Sequence, residues 1–303
     1  MADTARVGIV LRTKNRPWFL ARALADIAAQ DYPDWHVQIV NDGGERAAVD
    51  AAVASLDVGR ERISVTHHDV PRGRSAAANA GVRALETEFI VLHDDDDLWH
   101  PSFLSQSVEW LDTHRDDIGV VSRTEIVYEV QAEDGSFREV DRVPFWADLS
   151  EITYIDLIEV NRWVPIAYLY RRSLHDKVGL YDETIDAAED WDLGLRTLVR
   201  HHVGFLDGEP LAYWMQRRDV DGELGNSMFV LAHDHDRFDK QIRDAALREY
   251  AATHGSGLIL YLSRLVRDDL RTMIRDEVAR ELDARPSDMD RVRRRFRIRR
   301  GAK

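Results

Sequence analysis

Phe89-Ile-Val-Leu-His-Asp94-Asp95-Asp96-Asp97-Leu-Trp99-His-Pro101 joins a short apolar run to four consecutive carboxylates. The run Phe89–Leu92, bounded by polar residues, reads as a buried β-strand. Four adjacent carboxylates repel one another unless something positive offsets them. A hard divalent cation such as Mg²⁺ or Mn²⁺, held through oxygen ligands and bridging to phosphates, supplies that charge. The competing reading is a solvated acidic loop in front of a helix that starts near Pro101, since acids favour helix N-termini.

Upstream of this stretch, apolar runs and helical segments alternate. Strands are expected at Val7–Leu11, Trp35–Val40 and Ile63–His67, and helices at Pro17–Gln30 and Arg74–Leu85. That alternation predicts βαβ units and an α/β fold with a mostly parallel sheet flanked by helices. Three strands stop at polar clusters: Thr13 with Asn15, Asn41 with Asp42, and Asp94 to Asp97. Open parallel sheets bind ligands beyond the carboxyl ends of their strands, so the three clusters predict one shared crevice.

Downstream the pattern changes. Val120–Val130 and Phe137–Val143 read as a hairpin around Glu133-Asp134-Gly135-Ser136. A strand follows at Pro165–Tyr170, a helix at Glu189–Arg200, and two short strands at Val203–Leu206 and Leu211–Met215. From Ser227 to Asp283 the chain reads as two long helices broken near His254-Gly255-Ser256-Gly257. In the second helix Leu262, Leu265, Val266, Leu270, Met273, Ile274 and Val278 fall on one face. That face is expected to pack on the main domain or on a second copy, giving a homodimer. The expected organisation is a domain over 1–226, a C-terminal helical extension over 227–285 and a basic tail over 286–303.

Composition narrows the function. The 303 residues are 44% hydrophobic and 32% charged, with no cysteine. This is the balance of a globular protein. Without cysteine there is no disulfide framework or thiolate chemistry, which fits a reducing cytoplasm. Apolar runs such as Leu258–Leu262 fall far short of the ~20 residues of a membrane-spanning helix, and the N-terminus lacks a signal-peptide layout. A net charge of −14 argues against general nucleic-acid binding. The charge is uneven, because Arg291–Lys303 holds eight basic residues and no acid. Such a tail suits a solvated end or a peripheral contact with anionic lipid at the inner face of a membrane.

Seven segments, in order over residues 6 to 216, resemble family 2 glycosyltransferases, whose nucleotide-sugar-binding fold is called GT-A. Leu11-Arg12-Thr13-Lys14-Asn15-Arg16-Pro17 is similar to the family's PTxNR segment, and Gln30-Asp31-Tyr32-Pro33 to its QxYP. Val40-Asn41-Asp42-Gly43-Gly44 resembles VDDGS, and Gly73-Arg74-Ser75-Ala76-Ala77-Ala78-Asn79-Ala80-Gly81 resembles GxSxARNxG. Asp94 to Trp99 matches the acidic motif and its tryptophan. Ala188-Glu189-Asp190-Trp191-Asp192-Leu193 resembles the ED motif, and Gly208-Glu209-Pro210-Leu211-Ala212-Tyr213 resembles the EPLxxY segment.

The resemblance implies a GT-A, Rossmann-like fold and an inverting, metal-dependent transfer from a nucleotide-sugar donor to an acceptor hydroxyl. A UDP-sugar is favoured, and the setting is the synthesis of a cell-surface polysaccharide, glycolipid or secondary polymer. It implies donor contacts at Thr13, Asn15, Arg16, Asn41, Asp42, Arg74, Asn79, Asp94 and Asp95. Mn²⁺ or Mg²⁺ would sit on Asp96 and Asp94, Asp190 would be the catalytic base, and Glu189 and Trp191 would border the acceptor. His93 reads as a hydrogen-bonded strand-end residue or a further ligand.

Two departures stand out. Asn41 replaces the first aspartate of the family's DDG, and Ala78 replaces the arginine of its ARN. Arg74, one turn earlier, is the expected substitute cation, with Arg72 second. The alternatives are a sugar nucleotidyltransferase and a non-catalytic nucleotide-sugar-binding protein. The first is disfavoured because the opening strand lacks a glycine-rich turn followed by lysine.

Overall fold

The computed structural model describes residues 5–56, 59–185, 187–217 and 232–284. The chain divides into two compact units, Met1–Lys240 and Gln241–Lys303.

The first unit is built on a seven-stranded sheet. Its strands β1 (Val7–Thr13), β2 (Trp35–Asp42), β3 (Ile63–His68) and β4 (Phe89–Asp94) alternate with α1 (Pro17–Ala28), α2 (Arg46–Ala54) and α3 (Arg74–Ala84). After β5 (Leu98–Trp99) and α4 (Phe103–Thr113) comes β6 (Asp117–Ser122). Next are β7 (Thr124–Gln131), β8 (Phe137–Phe145), α5 (Tyr154–Glu159), β9 (Tyr168–Arg171), α6 (Leu174–Val178), α7 (Glu189–Leu198), β10 (His202–Leu206) and β11 (Ala212–Gln216). The large sheet runs β10-β6-β9-β4-β1-β2-β3, and a four-stranded sheet runs β5-β11-β7-β8. Pairings in the large sheet are parallel, except that β9 runs against both β4 and β6.

The core follows from the sequence. Strands buried on both faces read as continuous apolar runs, and β1 and β4 are such runs. Ile9, Leu11 and Val91 have no exposed surface, each contributing ~1.5–3 kcal/mol through burial. On α1, Phe19, Leu20, Ala23, Leu24 and Ile27 form the apolar face, and Pro17 stands in the first turn, where its missing N–H costs nothing. Small residues bring α3 close to β1: a Cβ on Gly81 would lie 2.3 Å from Val10 Cγ1.

The strand order sets where a ligand can bind. The chain winds outward from β1 through β2 and β3, then returns to place β4 on the other side of β1. Arg12 pairs with Asp94 across that switch point, where α/β sheets open a crevice at their carboxyl ends.

Two expectations needed revision. Val120–Val130 is not one strand: the chain breaks at Arg123, leaving β6 in the large sheet and starting β7 in the small one. Arg123 anchors the break by donating to Leu149 O at 2.8 Å and pairing with Asp207. The strand expected at Pro165–Tyr170 begins instead with a 3₁₀ turn at Pro165–Ala167. Helices α2, α5 and α6 have no counterpart among the helices read from the sequence.

The second unit holds most of α8 (Ala232–His254) and all of α9 (Gly257–Ala284). Among the described residues, no helix is long and apolar enough to cross a membrane. The basic tail, Arg291–Lys303, lies outside the described residues.

Candidate active site

The four acids at the end of β4 are consecutive but sit in four different environments. Arg12, near the end of β1 and almost fully buried, donates twice to Asp94 Oδ1, at 3.0 and 2.7 Å. Its third nitrogen, Nη1, donates to Glu189 Oε1 on α7 at 2.6 Å. Burial alone would raise the Asp94 pKa, but the charges of Arg12 and then Arg74 hold it below the usual carboxylate range.

Asp95 accepts from Thr13 Oγ1 at 2.7 Å and from Arg16 Nε at 3.0 Å. Burial, partly offset by Arg16 and reinforced by Asp96, pushes its pKa up to about 6. Asp96 lies between two guanidiniums: Oδ1 faces Arg16 Nη2 at 3.1 Å, and Oδ2 accepts from Arg217. Arg217 also donates to Glu129 at 3.3 Å, Glu129 accepts from Arg22 at 2.5 Å, and Arg22 returns to Asp96 O at 2.8 Å. That closes a ring of two acids and two arginines. Asp97 accepts from Met215 N at 2.9 Å and is raised well above the carboxylate range by burial, then by Asp96 and Asp94.

Arginines therefore supply the charge compensation that the sequence assigned to a cation. A cation remains chemically compatible at one place. Among the four acids Asp94 is the most open, with 31% of its side chain exposed, and no described residue donates to its Oδ2. That oxygen suits Mg²⁺ or Mn²⁺, which take one or two carboxylates and complete their shell with waters and substrate phosphates. Both Asp96 oxygens are committed to arginines, so in this arrangement Asp96 does not fit as a ligand. Among the described residues no three His, Asp or Glu side chains converge to enclose an ion. His93 is fully buried, with Nδ1 2.6 Å from Asp94 O and its ring edge-on to Trp99. Burial lowers its pKa to about 4.

The other polar residues singled out in the sequence shape backbone. Asn41, with no exposed surface, accepts from Gly44 N at 3.0 Å, donates to Gly44 O at 2.9 Å and meets His67 Nδ1 at 3.0 Å. Asp42 accepts from Arg72 N, Gly73 N and His68 Nδ1 at 2.8, 3.0 and 2.8 Å, fixing the loop into α3. Asn15 accepts from Glu45 N at 3.0 Å and adopts φ 54°, a left-handed value asparagine tolerates. Asn79 donates to Tyr181 O and Glu183 at 2.9 and 2.8 Å, and accepts from Tyr181 N at 3.0 Å. These bonds clamp α3 to the segment leading into α7. Arg74 differs: it is half-buried in the first turn of α3, and its guanidinium makes no hydrogen bond to a described side chain.

At the start of α7, Asp190 is half-buried and accepts from Asn161 Nδ2 at 2.7 Å. Burial, then the charge of Glu189, raises its pKa to about 7 against the pull of that hydrogen bond. Glu189 and Trp191 are both buried; Glu189 is committed to Arg12, and Trp191 Nε1 donates to Leu157 O at 2.7 Å. Trp146 Nε1 donates to Asn161 O at 3.1 Å. The cleft next to it, about 470 Å³ counted out to solvent, is lined by Trp146, Glu151, Asp156 and Arg162 among others.

Residues 8–176 match Glycosyl transferase family 2. The chain belongs to that family. It is 32% identical over 203 residues to the uncharacterised glycosyltransferase YwdF of Bacillus subtilis, covering 65% of this chain and 70% of that protein. It is 27% identical over 216 residues to the putative colanic acid biosynthesis glycosyl transferase WcaA of Escherichia coli, covering 69% and 70%. Among solved structures it is similar to S. aureus TarS 1–349 in complex with UDP-GlcNAc, with a TM-score of 0.54 and 17% identity over 84% of this chain and 75% of that one. In another crystal structure of TarS 1–349 the match spans 60% of that chain. The TarS likeness bears on the fold. Family 2 membership makes this chain a glycosyltransferase and sets aside the nucleotidyltransferase reading.

Arg12, Arg22, Glu129, Asn161 and Arg217 were not anticipated as site residues. Arg12 lay inside a quoted motif, and Arg217 follows the EPLxxY segment by four residues. Glu129 carried no signal, because a register shift between Tyr128 and Glu129 intervenes in the β7–β8 pairing.

Proposed function

We propose that this chain moves a sugar from a nucleotide-sugar donor, UDP-linked by preference, onto an acceptor hydroxyl with inversion. The observation that carries the reading is the carboxylate of Asp190. It is held by Asn161, has a pKa near neutrality, and stands one residue from the Glu189–Arg12–Asp94 chain that leads to the switch-point crevice.

In this reading Asp190 takes the acceptor's proton as its oxygen bonds to the anomeric carbon, while the bond from that carbon to the diphosphate oxygen breaks. Glu189 fixes Arg12, and Arg12 fixes Asp94. Arg74 faces the donor diphosphate, filling the place of the family arginine lost at Ala78. A divalent cation, Mn²⁺ or Mg²⁺, would be held by Asp94 and the donor phosphates, and would offset charge on the leaving diphosphate. Asn41 and Asn79 act by holding loops, while Thr13 and Arg16 position Asp95. The acceptor enters by the cleft at Trp146.

The catalytic part is assigned to 1–226, with 227–285 a helical extension and 286–303 a basic tail. A cytoplasmic setting, peripheral to the membrane that carries a growing surface polymer, fits the WcaA relative and the tail.

Donor identity is read by thermal shift with UDP-, GDP- and dTDP-sugars, each with Mn²⁺, Mg²⁺ or a chelator. A donor at about 100 times its Kd stabilises the fold by ~2.7 kcal/mol. The expected result is the largest rise with a UDP-sugar plus cation; no rise with any of the three would refute the donor assignment. The pH profile is a second check. Asp190 must be deprotonated to accept a proton, so kcat/KM should rise with pH and level off above about 7. Asn161→Ala removes the donor that favours the carboxylate, so its inflection should move to higher pH.

A further inference from the structure

The cleft beside Trp146 is built from one stretch of chain, since every residue that lines it lies between 146 and 162. That stretch leaves the small sheet at the end of β8, turns, carries α5 and returns at Asn161. Its two ends, fifteen positions apart, are joined by the bond from Trp146 Nε1 to Asn161 O. Inside it Ile152 and Leu157 are buried, and Thr153 caps α5 by accepting from Asp156 N at 3.2 Å. A compact loop with joined ends and its own packing is a form that binding loops commonly take.

Trp146 is held in an unfavourable backbone conformation. Its φ of 52° lies in the left-handed region, which a bulky residue adopts only where its surroundings impose it. Those surroundings are specific. The Arg162 guanidinium stands 4.4 Å from the ring centre, and Leu149 N donates to Trp146 O at 3.0 Å. Arg123 donates to Ala147 O and Leu149 O at 3.4 and 2.8 Å. Strain of this kind collects where a side chain must be aimed. Here the indole N–H is aimed at Asn161, and Asn161 Nδ2 at Asp190, 2.7 Å away. Two hydrogen bonds in series therefore run from the neck of the loop to the base.

We propose that Trp146 is a positioning residue: it locks the neck of an acceptor-recognition loop over 146–161 and, through Asn161, fixes the carboxylate that takes the acceptor's proton. This deepens the reading of Asp190 as the base and rests on it.

The charged and titratable groups around Asp190 come from three places: Glu189 on α7, Arg12 on β1 and Tyr181 before α7. Helix α5 also packs on α7, but its acids Asp156 and Glu159 are bonded to Thr153 and Arg162. Trp146→Phe leaves all of these in place and keeps a ring beneath Arg162. It removes only the N–H.

The test uses the full chain and is read from melting curves, which need no acceptor. In each background Tm is compared with that of the same chain carrying Asp190→Asn, from about pH 4 to about pH 9. In the parent the gap should widen as pH rises and level off near 7, where Asp190 has lost its proton. The bond from Asn161 favours the carboxylate, so loosening it raises the pKa. Trp146→Phe should therefore move the levelling point up by about half a pH unit, roughly a threefold change in proton affinity. Asn161→Ala should move it further. Adding Trp146→Phe to Asn161→Ala should move it no more, because a residue acting through that amide is silent once the amide is gone. If Trp146→Phe levels off with the parent while Asn161→Ala moves, the proposal is overturned and the base reading stands. An additive shift in the double variant overturns it equally, since Trp146 would then reach Asp190 by another route. The base reading is checked apart from this, by the transfer rate of Asp190→Asn; a parent-like rate removes that reading and the proposal with it.

Discussion

Asp190→Asn is expected to lower kcat by ~10²–10⁴, the usual scale of general-base catalysis, while leaving donor affinity within a few-fold of the parent. The split follows from the geometry. Asp190 is bonded to Asn161, while the crevice at the sheet's switch point is governed by Arg12, Asp94 and Asp95. The substitution keeps size and shape and removes only the ability to take a proton.

It should also change stability in a defined direction. The folded-state pKa of about 7 lies above the ordinary value of 3.8, so the native state holds this proton more tightly than the unfolded chain does. Stability contributed by this group is therefore present at low pH and lost as pH rises from about 4 through about 7. Asparagine carries no such penalty. The variant should melt above the parent at pH 8 and close to it at pH 4.5. Steady-state kinetics with separate kcat and KM, plus melting curves at the two pH values, decide the matter. A variant that transfers sugar at the parent rate would reduce Asp190 to an acid in the first turn of α7.

How much of this could be read in advance depends on the range over which each feature is decided. The strands read from local apolar runs as ending at Leu11, Val40 and Leu92 are found in place, each running two residues further into its polar cluster, to Thr13, Asp42 and Asp94. The break between β6 and β7 is different: Val120 to Val130 is a continuous strand-like pattern. The change of sheet is made by Arg123 reaching Asp207 and Leu149, contacts that local periodicity does not encode.

The acid cluster shows the same limit in electrostatic form. Four carboxylates in a row announce that positive charge must be nearby, but not which charge. Arg12 lies 82 residues from Asp94 and 177 from Glu189, and Arg217 lies 121 from Asp96. Only the fold brings them together. The amide of Asn41 reads as a ligand contact from its motif, yet it is used up in holding the turn at Gly44. Its neighbours at the loop decide that, and the motif cannot.

Arg217→Met is expected to be the most destabilising single substitution in the site, at up to ~3–5 kcal/mol, because it removes one of the two arginines that each of two buried carboxylates relies on, leaving Asp96 with Arg16 and Glu129 with Arg22. Arg217 has no exposed surface, and its partners Asp96 and Glu129 are both buried. Methionine preserves much of the stem, so the loss of packing is small; the guanidinium also stacks 4.3 Å from the ring centre of Phe19, and that contact goes with it. For a unit of this size ~1 kcal/mol moves Tm by ~2–4 °C, so a fall of ~6–20 °C is anticipated. A control separates charge from packing. If under-compensated carboxylates are the cause, adding Asp96→Asn and Glu129→Gln to Arg217→Met should recover much of the loss, since the charge then left without a carboxylate is Arg22, which is 19% exposed and keeps its bond to the residue 96 carbonyl. A Tm within about 2 °C of the parent at neutral pH would show that Arg16 and Arg22 suffice to compensate Asp96 and Glu129. A loss that persists in the triple variant would show that Arg217 matters for the volume it fills.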